Sequence, residues 1–200
     1  MSAIPVSNKQ LPLSVEEYFK LDEESEIRYE FNEGFLKPID GASARHNKIV
    51  RRTANMVESA FDAHNCSVYS ESVKLEIVKG KHYAFPDIML TCHGFDQYAD
   101  YLMHFPSLII EVLSPTTADY DHGKKFKLYR NIPTLEYYLL IEQKHCWVEL
   151  FSRAEDPKEW AFKTYDEMEN IISFPKLNFT MALSDIYKDI TFDPPETWDL

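Results

Sequence analysis

Glu111 stands inside Leu108-Ile109-Ile110-Glu111-Val112-Leu113, the most apolar run of the chain. Strand alternation places Ile109, Glu111 and Leu113 on one face. A carboxylate there is costly to bury unless it is paired, protonated or bound to a cation. Asp87 follows Pro86 directly and opens a second apolar run, Ile88-Met89-Leu90. Two carboxylates on the ends of neighbouring strands could hold one hard cation through oxygen, with water filling the remaining positions. Such an ion lowers the pKa of bound water and offsets charge on a phosphodiester under in-line attack. The residues allow plainer roles as well. Glu111 could close the solvent end of its strand with a helix lysine as partner, and Asp87 could cap the Phe85-Pro86 bend.

The elements that must carry these residues are legible in outline. Ser14, with Glu17 three residues on, predicts an N-capped short helix. The stretch from Ile27 to Ile39 predicts two strands around a tight turn at Asn32-Glu33-Gly34. Between about Ser43 and His64, His46, Ile49, Thr53, Met56 and Ala60 recur at three and four residues, the pattern of an amphipathic helix. Strands are expected at Ser67–Tyr69, Val73–Val78, Asp87–Thr91 and, centrally, Ser107–Leu113. Tyr98 to Phe105 reads as a loop or short helix. A second helix, about Asp121 to Arg130, is stopped by Asn131 and Pro133. Leu135–Ile141, Cys146–Ser152 and Trp160–Tyr165 complete the strands, and Ser184 is expected to cap a last short helix. This alternation predicts an α/β (α+β) fold, a central mixed sheet flanked by helices.

Bulk properties bound the function. Two hundred residues suit a single domain, which at this size buries about 70% of its unfolded surface; its core is expected over about 13–190, with residues 1–12 and 191–200 peripheral. The 44% hydrophobic and 27% charged residues are ordinary for a soluble globular chain. No run approaches the ~18 apolar residues of a membrane span, and the N-terminus lacks a signal-peptide pattern. Cys66, Cys92 and Cys146 form no CxxC pair, which predicts three reduced thiols in a cytoplasmic protein. A net charge of −12 argues against a protein that coats nucleic acid nonspecifically. Local basic surface is confined to helix faces bearing Arg45, Lys48 and Arg52, and Lys124, Lys127 and Arg130. These are the positions that could meet a phosphate backbone weakly.

One set of residues, in order and spacing, resembles a known family: Tyr29-Glu30-Phe31-Asn32-Glu33-Gly34, His46, Pro86-Asp87, Glu111-Val112-Leu113-Ser114-Pro115-Thr116-Thr117, Tyr120-Asp121, Lys125 and Glu136-Tyr137-Tyr138-Leu139-Leu140. It is the Uma-type family of restriction-endonuclease-like proteins, within the PD-(D/E)XK nuclease superfamily. The match runs from about Leu13 to Tyr187, and its most specific part is Glu-Val-Leu-Ser-Pro followed by the Asp and Lys. The resemblance implies a restriction-endonuclease-like core, Mg²⁺- or Mn²⁺-dependent hydrolysis of nucleic acid, expected to be DNA, and a homodimer. It assigns Asp87, Glu111 and Glu30 to the metal, and His46 and Asp121 to supporting places. The superfamily motif puts its lysine two residues after the strand Glu, where this chain has Leu113; Lys125 matches the family's own lysine.

Competing readings remain at this level. Asp121 and Lys125 are spaced i,i+4 in the order that suits a simple helix pair. A catalytically inactive relative of the fold, acting in binding or assembly, is the principal alternative to a nuclease. A two-carboxylate glycosidase would need a defined separation that sequence does not supply.

Overall fold

The computed structural model describes residues 12–39, 41–114 and 121–192. Part of the family signature, Pro115-Thr116-Thr117 and Tyr120, lies outside them, as do the arm 1–11 and the tail beyond 192. Helix α1 (Val15–Glu24) begins with the expected capping box: Ser14 Oγ accepts from the Glu17 N–H, and the Glu17 carboxylate accepts from the Ser14 N–H. Strands β1 (Tyr29–Asn32) and β2 (Phe35–Pro38) form the expected hairpin. Its turn places Glu33 and Gly34 at φ 48° and 92°, the left-handed pair that matches strand twist. Gly34 is required twice over, because a Cβ there would stand 2.3 Å from the Pro12 Cβ. Helix α2 (Ala44–Phe61) starts at Ser43 and buries His46, Ile49, Val50, Thr53, Val57 and Phe61 along one stripe.

The strands that follow are β3 (Ser67–Ser70), β4 (Lys74–Val78), β5 (His82–Ala84), β6 (Ile88–Thr91), β7 (Leu102–Met103) and β8 (Pro106–Leu113). The chain then passes into α3, which spans 121–129 as a π-type turn, Asp121–Lys125, continued by an α-helical turn, Phe126–Tyr129. Beyond it come β9 (Tyr137–Glu142), β10 (Val148–Arg153), β11 (Trp160–Tyr165), the hairpin β12 (Ile171–Phe174) and β13 (Phe179–Ala182), and α4 (Leu183–Ile186).

Six strands form the main sheet in the order β11-β10-β9-β8-β6-β3, mixed because β8 and β9 run parallel. Five others form a second sheet, β2-β1-β5-β4-β7. Strand β8 is central and carries the two cores on its two faces. Leu108, Ile110 and Val112 pack toward α2 with Ile49, Val50 and Val57. Ile109 and Leu113 pack on the other side with Tyr129, Tyr138 and Leu140. The alternation expected from sequence holds, so Glu111 points toward the α3 side.

Several expectations are corrected. Strand β5 was not expected; it is three residues long, next to the positive-φ turn residue Gly80, and its strand character comes from pairing with β1 and β4. The same holds for β12 and β13, which among the described residues pair only with each other. Within Tyr98–Phe105 the chain forms β7, parallel to β4. The N-cap of α4 is Ala182 and not Ser184, which falls inside the helix. The three-thiol expectation fails: Cys66 and Cys92 form a disulfide, leaving Cys146 free. Antiparallel pairing sets Ser67 opposite Thr91, so the residues one step outside that pair meet across the strands, a proximity that 26 residues of separation hide. Among the described residues no helix is long and apolar enough to cross a membrane.

Candidate active site

Strands β6 and β8 are antiparallel neighbours, with Ile88 opposite Ile110. That register sets Asp87, just before the start of β6, beside Glu111 and Val112 near the end of β8. The Asp87 N–H donates to Glu111 Oε2 at 3.4 Å, and the Val112 N–H donates to Asp87 Oδ2 at 2.7 Å. Asp87 is thus held by the neighbouring strand's backbone and is not a free turn residue. The first turn of α2 supplies His46, whose Nε2 lies 3.3 Å from Asp87 Oδ1. Burial pulls the His46 imidazole down, but the hydrogen bond and the charge of Asp87 outweigh it, leaving the pKa above its ordinary value.

On the other face of β8, α3 lays Lys125 over Glu111. The ammonium Nζ is 2.9 Å from Glu111 Oε1, 3.3 Å from Glu30 Oε1 and 3.4 Å from Asp121 Oδ1. All four side chains are buried: Glu111 is 3% exposed, Asp121 2%, Glu30 6% and Lys125 7%. Three carboxylates from a hairpin, a central strand and a helix therefore share one ammonium. Burial would lower the Lys125 pKa, yet the acids, Glu111 foremost, carry it well above its ordinary value, so the ammonium stays charged. Glu111 is pushed up as well: burial raises its carboxyl to about 8, against the pull of Lys125 and with the help of Asp87 and Asp121.

These groups line one cleft of ≈ 630 Å³ with Glu30, His46, Asp87, Glu111, Asp121 and Lys125 all on its wall. Lys48, Arg52 and Lys124 are not among its lining residues. Lys48 and Lys124 are exposed, and Arg52 pairs with Asp189 at 2.8 Å.

Two residues that sequence reasoning passed over belong to the site. Tyr129 is buried and donates its hydroxyl hydrogen to Glu111 Oε1 at 2.9 Å, so Oε1 is committed to Lys125 and Tyr129, while among the described residues Oε2 meets only the long Asp87 contact. A signal for it existed: Asp121, Lys125 and Tyr129 are spaced four apart. Gln143 accepts from Ser43 Oγ at 2.7 Å and donates to the Leu113 carbonyl at 2.7 Å, tying the start of α2 to the end of β8. No local sequence pattern marks it. Farther out, Arg153 holds the segment after α3. Its guanidinium donates to the carbonyls of Leu135, Pro157, Arg130 and Ile132 at 2.6 to 3.1 Å and stacks on Trp160.

Could these residues hold a divalent ion? Among the described residues no three His, Cys, Asp or Glu close into a ready cage. The donors at the cleft floor are nevertheless hard oxygens, and Mg²⁺ is commonly held by only one or two carboxylates with water and substrate phosphate completing its shell. Asp87 and Glu111 fit that mode, and among the described residues Glu30 Oε2 is buried without a hydrogen-bond partner, the Lys37 ammonium standing 3.9 Å away.

A mixed sheet flanked by helices, with a carboxylate-floored cleft at the ends of its central strands, is the restriction-endonuclease-like nuclease fold. It superposes with a TM-score of 0.72 on a crystal structure described as "a putative nuclease belonging to DUF820" from Anabaena variabilis, covering 88% of this chain and 98% of that one at 18% identity. The chain belongs to the family described as "Uma2: Putative restriction endonuclease", whose pattern matches residues 15–184. It is also similar to two Synechocystis proteins, the uncharacterized protein slr1290 (29% identity, 90% of this chain and 94% of that one) and the uncharacterized protein sll1609 (32% identity, 74% and 84%).

Proposed function

We propose that this protein is a metal-dependent nuclease that hydrolyses phosphodiester bonds in nucleic acid, DNA in the first instance. The observation that carries the reading is Glu111. A carboxylate buried in the central strand, beside Asp87 and under Lys125, is a costly arrangement for stability alone. Asp87 and Glu111 would hold Mg²⁺ or Mn²⁺, with Glu30 as a further acidic group. The chemistry such an ion supplies when bound is activation of water and neutralisation of phosphate charge.

The chain's own residues do the rest. The Val112 N–H and His46 orient Asp87, and Tyr129 fixes the Glu111 rotamer so that Oε2 faces away from Lys125. Lys125 provides a fixed cation at the cleft floor, where it can hydrogen-bond the charge that develops on a phosphoryl oxygen. The superfamily's strand lysine would project from position 113, on the same face as Glu111. Here the ammonium arrives from α3 instead, and Leu113 is free to fill the core.

The test is cleavage of plasmid, single-stranded DNA and RNA in Mg²⁺ or Mn²⁺, with chelator as the control. Cleavage should need the ion and vanish in Asp87→Asn and Glu111→Gln. Cleavage that persists in chelator or in Glu111→Gln overturns the assignment. Failure on every substrate with either ion decides for a binding module.

A further inference from the structure

Of the helix-face cations that look basic in the sequence, only Arg45 and the buried Lys125 line the cleft. We propose that Arg28, Lys37, Arg45 and Lys144, at the mouth of the cleft, grip the phosphates flanking the scissile one; this rests on the nuclease reading of the cleft floor. The chain as a whole has 33 acidic and 21 basic side chains, but the cleft is lined by five of each. This is the local balance a polyanion needs on a protein of net charge −12.

Burial sorts the two signs by depth. Glu30, Glu111, Asp121 and Lys125 are buried at the floor, whereas Arg28 and Lys144 are exposed and Lys37 and Arg45 half-buried. The four mouth cations come from four places around the opening: the start of β1, β2, the first turn of α2, and the turn between β9 and β10. Nucleic acid lying across such a mouth meets cations on each side while one phosphate descends to the acids.

Arg28 shows that at least one of them is built into place. Its Nη1 donates to the Glu71 carbonyl at 3.1 Å and to Ser72 Oγ at 2.9 Å, and its guanidinium stands 5.7 Å from the centre of the Phe85 ring. Glu71 holds a left-handed backbone at φ 58°, which a non-glycine residue adopts only at a cost, and its N–H donates to the Asp87 carbonyl at 3.0 Å. The bend that orients Arg28 is therefore anchored on the candidate metal ligand's own backbone. Arg45 is likewise tied beside the floor, its Nη1 3.5 Å from the Gln143 carbonyl.

The experiment is salt-dependent binding of fluorescent single- and double-stranded DNA oligonucleotides, read by anisotropy in chelator so that no cleavage intervenes. Each phosphate contact contributes about 0.9 to the slope of log K against log salt on duplex and about 0.7 on single strands. Arg45→Gln with Lys144→Gln should lower the slope by about 1.8 on duplex, so that the affinity lost between 50 and 200 mM salt shrinks about tenfold. Lys144→Glu alone should weaken binding further than Lys144→Gln. The surface variants Lys48→Gln and Lys124→Gln should bind as the parent does. Unchanged slopes in the mouth variants, an equal loss in the Lys48 and Lys124 variants, or no binding by the parent protein at low salt each overturn the proposal. Cleavage by the parent is scored separately. A mouth-dependent slope without cleavage refutes the nuclease and keeps the grip, while cleavage with unchanged slopes does the reverse.

Discussion

Replacing Lys125 by Met should destabilise the ion-free protein by about 3–5 kcal/mol, the usual cost of removing one partner from a buried ion pair. The geometry favours the upper end. Glu111 Oε1, Glu30 Oε1 and Asp121 Oδ1 lie 2.9, 3.3 and 3.4 Å from the ammonium, so one substitution strands three acids that are all buried. If Lys125 were only the exposed i,i+4 partner of Asp121, the loss would be about 0.2–0.5 kcal/mol. The pH dependence separates the mechanisms further. Burial holds the parent's Glu111 carboxyl at about 8 against the pull of Lys125, so removing the ammonium raises it further. Below about pH 8 that carboxyl keeps its proton in both folded proteins; above it the parent releases the proton and the variant does not, so stability falls further with rising pH in the variant. The deficit of Lys125→Met against the parent should therefore be steady through neutrality and widen above about pH 8. Saturating Mn²⁺, at one hundred times its Kd, should stabilise each form that binds it by about 2.7 kcal/mol, so it narrows the deficit only where the variant binds the ion more tightly than the parent. Urea denaturation in chelator across this pH range, then with Mn²⁺, is the assay. A deficit under about 1 kcal/mol, or one that does not widen above about pH 8, would refute the shared-ammonium picture.

Other outcomes follow from the same geometry. Because the Glu111 carboxyl of the ion-free protein sits at about 8, ion binding must displace its proton at lower pH; affinity should climb about tenfold per pH unit and level off above 8. Calorimetry that finds equal affinity at pH 6 and pH 8 contradicts this. Lys125→Ala should abolish cleavage, and adding Leu113→Lys should restore part of it, because residue 113 shares a strand face with Glu111; full activity in Lys125→Ala would instead make that lysine purely structural. Tyr129→Phe leaves the buried Glu111 carboxyl short of one hydrogen bond, so it should cost about 1–3 kcal/mol in denaturant unfolding and lower the rate with little change in nucleic-acid binding. Gly34→Ala should destabilise by more than the ~1 kcal/mol of an ordinary glycine replacement, since both φ 92° and the close approach of Pro12 oppose a Cβ; a neutral Tm would refute the contact.

What the sequence determined by itself is what short-range periodicity encodes. The α2 stripe, the β1–β2 turn at Glu33-Gly34, and the two faces of β8 each depend on residues within a few positions of one another. The types and spacing of Glu30, Asp87, Glu111 and Lys125 were likewise readable, through the family they resemble. Only the tertiary structure decided that these four groups and Asp121 converge on one cleft, because that requires the β6–β8 register and the docking of α3 over β8. It alone joined Cys66 to Cys92 across antiparallel strands, and recruited the short β5 into a sheet that its own three residues do not specify. It also brought Arg45, but not Lys48, Arg52 or Lys124, to the wall of that cleft. A charged side chain's local sequence tells which face of its element it occupies; which other charges it meets is fixed by contacts tens of residues away, and those exist only once the chain has packed.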